Sequence, residues 1–90
     1  MIVDVIIPAL NEEKSIALVI QDIPSYLVRN IYVCDNGSTD NTAANAESAG
    51  AIVVHEAKKG YGAACLKGIS TISHTSAPPD ILVFIDGDYS

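Results

Sequence analysis

Two aspartates one residue apart, Asp86 and Asp88, are the side chains of this sequence best suited to chemistry. Gly87 between them lets the backbone turn, so both carboxylates can address one point. Two hard oxygen ligands beside open positions suit Mg²⁺ or Mn²⁺, which keep waters and take substrate phosphates as further ligands. Asp-Gly is also a common turn pair, and the spacing alone fits an acidic turn equally well. Other candidates come earlier in the chain. Asp35 can accept hydrogen bonds from a base N–H or from ribose hydroxyls, and it can equally cap the turn in Asp-Asn-Gly-Ser. Glu12 suits ribose hydroxyls, although a glutamate in the first turn of a helix needs no ligand to explain it. Gly60-Tyr61-Gly62 would present backbone N–H groups to a phosphate at a helix start, with Lys59 beside it. A lone Gly-x-Gly is a weak signal, and here it follows the third strand rather than the first. His55 and His74 lack partners at metal-ligand spacing and read as structural or surface residues.

The elements that must position these groups alternate. Ile2 to Ile7 reads as a first strand with Asp4 its polar interruption, ended by Pro8, which has no N–H for a ladder. Asn11 is the expected N-cap of a helix whose core face is Ile16, Val19, Ile20 and Ile23. Asn30 to Asp35 is a second strand. Gly37 turns the chain, Ser38 or Thr39 is the expected cap, and Ala43, Ala44 and Ala46 give the next helix a small face. Gly50 suits its C-terminal stop. Ala51 to His55 is a third strand, and the third helix has Cys65, Leu66, Ile69 and Ile72 at core spacing. Ser76-Ala77-Pro78-Pro79 is a rigid connector. Ile81 to Ile85, an unbroken apolar run, reads as a fourth strand buried on both faces.

Strand–helix alternation implies right-handed crossovers and a parallel sheet: an α/β, Rossmann-like three-layer fold, with the strand order 3-2-1-4 expected. Ligands of such sheets sit outside the carboxyl ends of the strands, where strand order reverses. The informative residues concentrate there, at Pro8-Ala9-Leu10-Asn11-Glu12, at Asp35-Asn36, at Lys58-Lys59-Gly60 and at Asp86-Gly87-Asp88. Four strand ends around one crevice indicate a nucleotide or phosphate site.

The bulk composition is compatible with this. Ninety residues make one small domain at most, 49% of them hydrophobic, with a net charge of −6 that argues against nucleic acid as a partner. Cys34 and Cys65 form no CxxC pair and read as buried thiols in a reducing compartment. There is no positively charged N-terminal region and no run long enough to span a bilayer, so a cytoplasmic location is expected.

Val-Ile-Ile-Pro-Ala-Leu-Asn-Glu-Glu at 5–13, Val-Cys-Asp-Asn-Gly-Ser-Thr-Asp-Asn-Thr at 33–42, Lys-Gly-Tyr-Gly-Ala-Ala at 59–64 and Asp86-Gly87-Asp88 together resemble the motifs of family-2 glycosyltransferases of the GT-A fold, in the same order and at the same strand ends. The wording is most similar to the branch acting on dolichyl and undecaprenyl phosphates. The resemblance implies an inverting transfer from a UDP- or GDP-linked sugar, by direct displacement, to an acceptor such as a polyprenyl phosphate, and a membrane association of the whole protein. It implies that Pro8, Ala9 and Glu12 line the nucleoside pocket and that Asp35 or Asn36 reads the base. Many family members carry a second aspartate where this chain has Asn36. Lys59, Gly60 and Gly62 would follow the nucleotide's edge, with Asp86 on the nucleoside side and Asp88 holding Mg²⁺ or Mn²⁺ against the diphosphate. Residues 1–90 are then expected to be the nucleotide-sugar-binding part, inactive alone. The acceptor part and any general base would lie beyond Ser90, and the exposed sheet edge would be open to association.

Two other functional classes compete. In a phosphatase of the haloacid dehalogenase type, Asp86 would be the nucleophile, but its Asp-x-Asp strand opens the domain, whereas here three βα units come first. A non-catalytic nucleotide-binding module would bind the nucleotide sugar without transfer. A pyrophosphorylase-like fold would carry a basic Gly-rich loop after strand one, unlike Ala9-Leu10-Asn11-Glu12.

Overall fold

The computed structural model describes residues 1–75 and 77–88. Ser76 of the expected connector lies outside them, as do Tyr89 and Ser90. The elements run β1 (Val3–Ala9), α1 (Ile16–Asp22), β2 (Asn30–Asp35), α2 (Thr42–Ser48), β3 (Ile52–His55), α3 (Tyr61–Ser73) and β4 (Ile81–Phe84). The four strands form one parallel sheet in the order β3-β2-β1-β4. The expected fold and strand order are thus found, and the order reverses between β1 and β4.

Alternation along the strands sorts the side chains into two cores. Val5, Ile7 and Ala9 of β1 and Val33 of β2 pack with Ile16, Val19 and Ile20 of α1 and with Ala46 of α2. On the opposite face Ile6, Tyr32 and Cys34 pack with Ala64 and Ile72 of α3. One sheet between two helical layers leaves the carboxyl ends of its strands as the common rim.

Several local expectations are corrected. Pro8 does not end β1: it sits inside the strand, in register with Cys34. The Ile6 carbonyl accepts the Ile85 N–H, so the backbone of Pro8, two residues on, faces the same β4 side. Pairing with β4 has already stopped at Ile6–Phe84, so the missing N–H costs no ladder bond. Asn11 does not cap α1, which begins at Ile16 after a turn in which the Glu12 carbonyl accepts the Ser15 and Ile16 N–H groups. Neither Ser38 nor Thr39 caps α2. Asp40 does so from just outside the helix, its carboxylate accepting the N–H and the hydroxyl of Thr42.

The buried seam of α3 is Ala64, Gly68 and Ile72, and Leu66 is 66% exposed with Ile69 also outside. A Cβ on Gly68 would lie 2.8 Å from Ile6 Cδ1 and 2.9 Å from Cys34 Sγ. The helix therefore approaches the sheet through its smallest residues, which turns the larger ones outward. Cys34 is buried as expected, and burial pushes its thiol up to about 11, whereas Cys65 is only half-buried. Among the described residues β4 is not covered on both faces: it is an edge strand paired with β1, and Ile81, Val83 and Phe84 are exposed.

Candidate functional site

The chain leaving β1 makes the floor of the site. Asn11 adopts a left-handed backbone (φ 54°), which asparagine tolerates better than most residues. Three consecutive N–H groups of the loop after β1, starting at Asn11, are bound by side chains of the β2–α2 segment. Asn11 donates to Ser38 Oγ (2.9 Å), Glu12 to Thr42 Oγ1 (2.8 Å) and Glu13 to Asp40 Oδ2 (3.3 Å). In return Asn11 Oδ1 accepts the Thr39 N–H at 2.9 Å. Glu13 Oε2 accepts the Asn41 N–H at 3.1 Å. This exchange fastens the loops after β1 and β2 into one unit. It also explains why Asp40 is held below the usual carboxylate range, chiefly by the Thr42 hydroxyl.

The second wall is the β3–α3 loop. Asn36, at the end of β2, donates from Nδ2 to the carbonyls of Glu56 (3.0 Å) and Lys58 (2.8 Å). Its Oδ1 accepts the Gly60 N–H at 2.9 Å. Gly60 then enters α3 at φ 126° and ψ 146°, a conformation confined to glycine. The third wall is the turn after β4. Gly87 is buried, and a Cβ there would meet Glu12 Cγ and the Pro8 carbonyl, both at 3.4 Å. Ser15 Oγ donates to the Gly87 carbonyl at 2.8 Å, holding the turn between the two aspartates.

These walls enclose a cleft of about 740 Å³, within the range of small-molecule sites. Of the residues singled out from sequence, Pro8, Ala9, Glu12, Asn36, Lys59, Gly60, Asp86 and Asp88 line it. Asp35 and Gly62 do not. Asp35 is 4% exposed, and its carboxylate accepts the Ser38 N–H at 3.3 Å and lies 3.3 Å from His55 Nδ1. The first contact is turn chemistry, and the second joins cross-strand neighbours of β2 and β3.

Asp86 and Asp88 are exposed at the rim. No cluster of three or more His, Cys, Asp or Glu side chains with metal-binding geometry occurs among the described residues. A cation at this turn would therefore take at most two carboxylates from them and fill its remaining positions with water or ligand oxygens. That donor set fits Mg²⁺ or Mn²⁺ better than Zn²⁺, which closes its shell with nitrogen and sulfur ligands.

Two lining or supporting residues went unassigned in the sequence. Tyr61 donates to Asp86 Oδ1 at 3.4 Å, and burial and the nearby Asp86 push its phenol upward. Its position inside Gly-Tyr-Gly at the start of α3 is the signal that places it at the strand ends. Ser15 has no sequence signal, since its partner is 72 residues away.

Residues 4–90 match the family described as glycosyl transferase family 2. Protein RfbJ of Shigella flexneri is 44% identical over 85 residues, covering 93% of this chain and 62% of that protein. Glucosyl-3-phosphoglycerate synthase of Mycobacterium tuberculosis is 37% identical over 97 residues, covering 96% of this chain and 28% of that protein. A crystal structure of that synthase in complex with Mn²⁺, UDP and glucosyl-3-phosphoglycerate superposes with a TM-score of 0.83 at 36% identity, covering 97% of this chain and 33% of the solved chain. The chain thus spans less than two thirds of the length of these relatives. Among the described residues, no helix is long and apolar enough to cross a membrane.

Proposed function

This chain belongs to glycosyl transferase family 2, and from that premise we propose that it forms the nucleotide-sugar side of a transferase moving a sugar from a UDP- or GDP-linked donor to an acceptor. The observation that carries the proposal is the convergence of all four strand ends on one cleft, with the Asp86-Gly87-Asp88 turn and the Lys59-Gly60 loop both in its lining. A phosphate-bearing donor needs a cationic side and a place for a shared divalent ion. This lining supplies Lys59 for the first and the two aspartates for the second.

In this reading Pro8 and Ala9 pack against the nucleoside and Glu12 takes the ribose hydroxyls. Asp86 lies on the nucleoside side, and Asp88 holds the metal with Asp86. Mg²⁺ or Mn²⁺ bound there would supply the positive charge that stabilises a departing nucleoside diphosphate. The rest of the work falls to the protein's own groups. Lys59 offsets diphosphate charge, the Gly60 loop closes one side against water, and Ser15 holds the turn so that the two carboxylates keep their spacing. The synthase solved with Mn²⁺ and UDP supports this assignment of cofactor and nucleotide. Family membership leaves the phosphatase alternative, with Asp86 as nucleophile, without support.

The proposal extends to a phosphate-bearing acceptor, a polyprenyl phosphate in the first instance. An anionic phosphate oxygen is already a nucleophile and needs no general base. The acceptor would be positioned by parts of the fold other than this cleft.

Titration calorimetry of the intact protein with UDP and with GDP, in Mn²⁺ and in EDTA, tests the reading. Nucleotide binding that needs Mn²⁺ and is lost in Asp88→Ala is the expected result. Equal affinity with and without metal, or an unaffected Asp88→Ala variant, would overturn it. Product analysis with polyprenyl phosphate and with phosphoglyceric acid then separates the acceptor classes.

A further inference from the structure

We propose that Asn36 is a positioning residue that clamps the β3–α3 loop against the cleft and does not itself read the nucleotide base. The inference rests on the nucleotide-sugar reading above for its consequence, but on geometry alone for the clamp. Asn36 stands at the end of β2, where a side chain has access to a bound base, and an amide there offers both donors and an acceptor. In this chain both donor directions and one lone pair of the acceptor are taken. Both Nδ2 protons go to main-chain carbonyls, those of Glu56 and Lys58, and Oδ1 receives the Gly60 N–H, at 2.8 to 3.0 Å. The residue is 9% exposed. A base that accepted from this amide would have to displace an Nδ2 bond and leave a loop carbonyl unpaired, and a base that donated to it would have to share Oδ1 with the Gly60 N–H.

The pattern is one that only an amide satisfies. Two carbonyl acceptors and one N–H donor converge on a side chain of two polar atoms. A carboxylate of the same shape would still accept from Gly60, but it would turn an oxygen toward two carbonyl oxygens and supply no proton to either. Asparagine at this position therefore matches the course of the loop from Glu56 to Gly60. That loop carries Lys59 and Gly60, both in the cleft lining, and delivers α3 to the rim with Tyr61 reaching Asp86. The clamp thus acts on every nucleotide alike, and the choice of base is made elsewhere in the cleft.

The test uses the intact protein, wild type and the variants Asn36→Asp and Asn36→Ala. Amide hydrogen exchange in nucleotide-free protein reads the clamp directly. The Gly60 N–H should exchange about tenfold or more faster in Asn36→Ala, where its acceptor is lost. The β1 amides should stay protected in the same sample, which shows that the fold is intact. Both variants should weaken Mn²⁺-dependent binding of UDP and of GDP by a common factor, leaving the ratio of the two dissociation constants at its wild-type value. A change in that ratio, or Gly60 exchange at the wild-type rate in Asn36→Ala, would overturn the proposal. A measurement on the wild type alone covers the case in which a variant does not fold. The Asn36 side-chain amide should keep its slow exchange when UDP is added, whereas a hydrogen-bond scalar coupling between it and the uracil ring would refute the proposal. If wild type binds neither UDP nor GDP, the nucleotide reading fails, while Gly60 exchange still decides the clamp.

Discussion

Asp4 and Asp86 belong to neighbouring strands of one sheet, one near the amino end of β1 and the other just past the carboxyl end of β4. Asp4 is fully buried and receives Arg29 Nε at 3.1 Å, an Arg29 terminal nitrogen at 2.6 Å and the Asn30 N–H at 3.1 Å. The same guanidinium donates to the Ala77 carbonyl at 2.6 Å, tying β1, the start of β2 and the approach to β4 together. The Asp4 hydrogen bond holds the Arg29 guanidinium above its usual range. Asp86 is exposed, accepts a longer bond from Tyr61 and faces the cleft. A carboxylate whose acceptor capacity is consumed inside the protein is part of the fold, and one left at a solvent rim can serve a ligand. The two ends of the sheet divide these duties.

The largest effect expected from breaking this division is on stability, at the amino end. Arg29→Ala leaves the Asp4 carboxylate buried with a single backbone donor, and should lower the urea midpoint more than Gly68→Ala, Ser15→Ala or loss of both rim aspartates. A cost near that of an ordinary surface change would mean that Asp4 is no more structural than Asp86.

Midway along the sheet, Gly68→Ala should cost about 1–2 kcal/mol, because overpacking against Ile6 and Cys34 outweighs the gain in helix propensity. A stabilised variant in the same denaturation assay would show that α3 can move away from the sheet.

At the carboxyl end, Ser15→Ala removes the hydrogen bond to the Gly87 carbonyl, and about 1 kcal/mol of stability should go with it. Its sharper signature is a weakened Mn²⁺-dependent UDP affinity, read by calorimetry, since the turn between the aspartates loses its support. Unchanged metal-dependent affinity would separate Ser15 from the site.

The smallest change in stability is expected where the loss of binding is greatest. Asp86→Asn with Asp88→Asn should leave the urea midpoint within about 0.5 kcal/mol of wild type, as exposed substitutions do. It should nevertheless remove the metal dependence of nucleotide binding. A large loss of stability would make these carboxylates structural after all, and would erase the contrast with Asp4.

Sequence alone determined the class of this protein. Strand–helix alternation implied the parallel sheet and its order, and the polar residues at four strand ends marked the rim where the cleft is found. Those signals are local, carried by apolar runs of strand length and by turn residues that act on their own neighbours. The tertiary structure decided which polar groups were spent and which were kept. Asp35 and Asn36 look alike from sequence as ligands for a base, yet the first contacts Ser38 and His55 and the second hydrogen-bonds Glu56, Lys58 and Gly60. It also decided that small residues face the sheet from α3 while Leu66 faces solvent, against the periodicity of the bulky side chains. Hydrogen bonds between residues 20 to 72 positions apart leave no trace in local pattern, because their geometry exists only once the crossovers have brought the strand ends together.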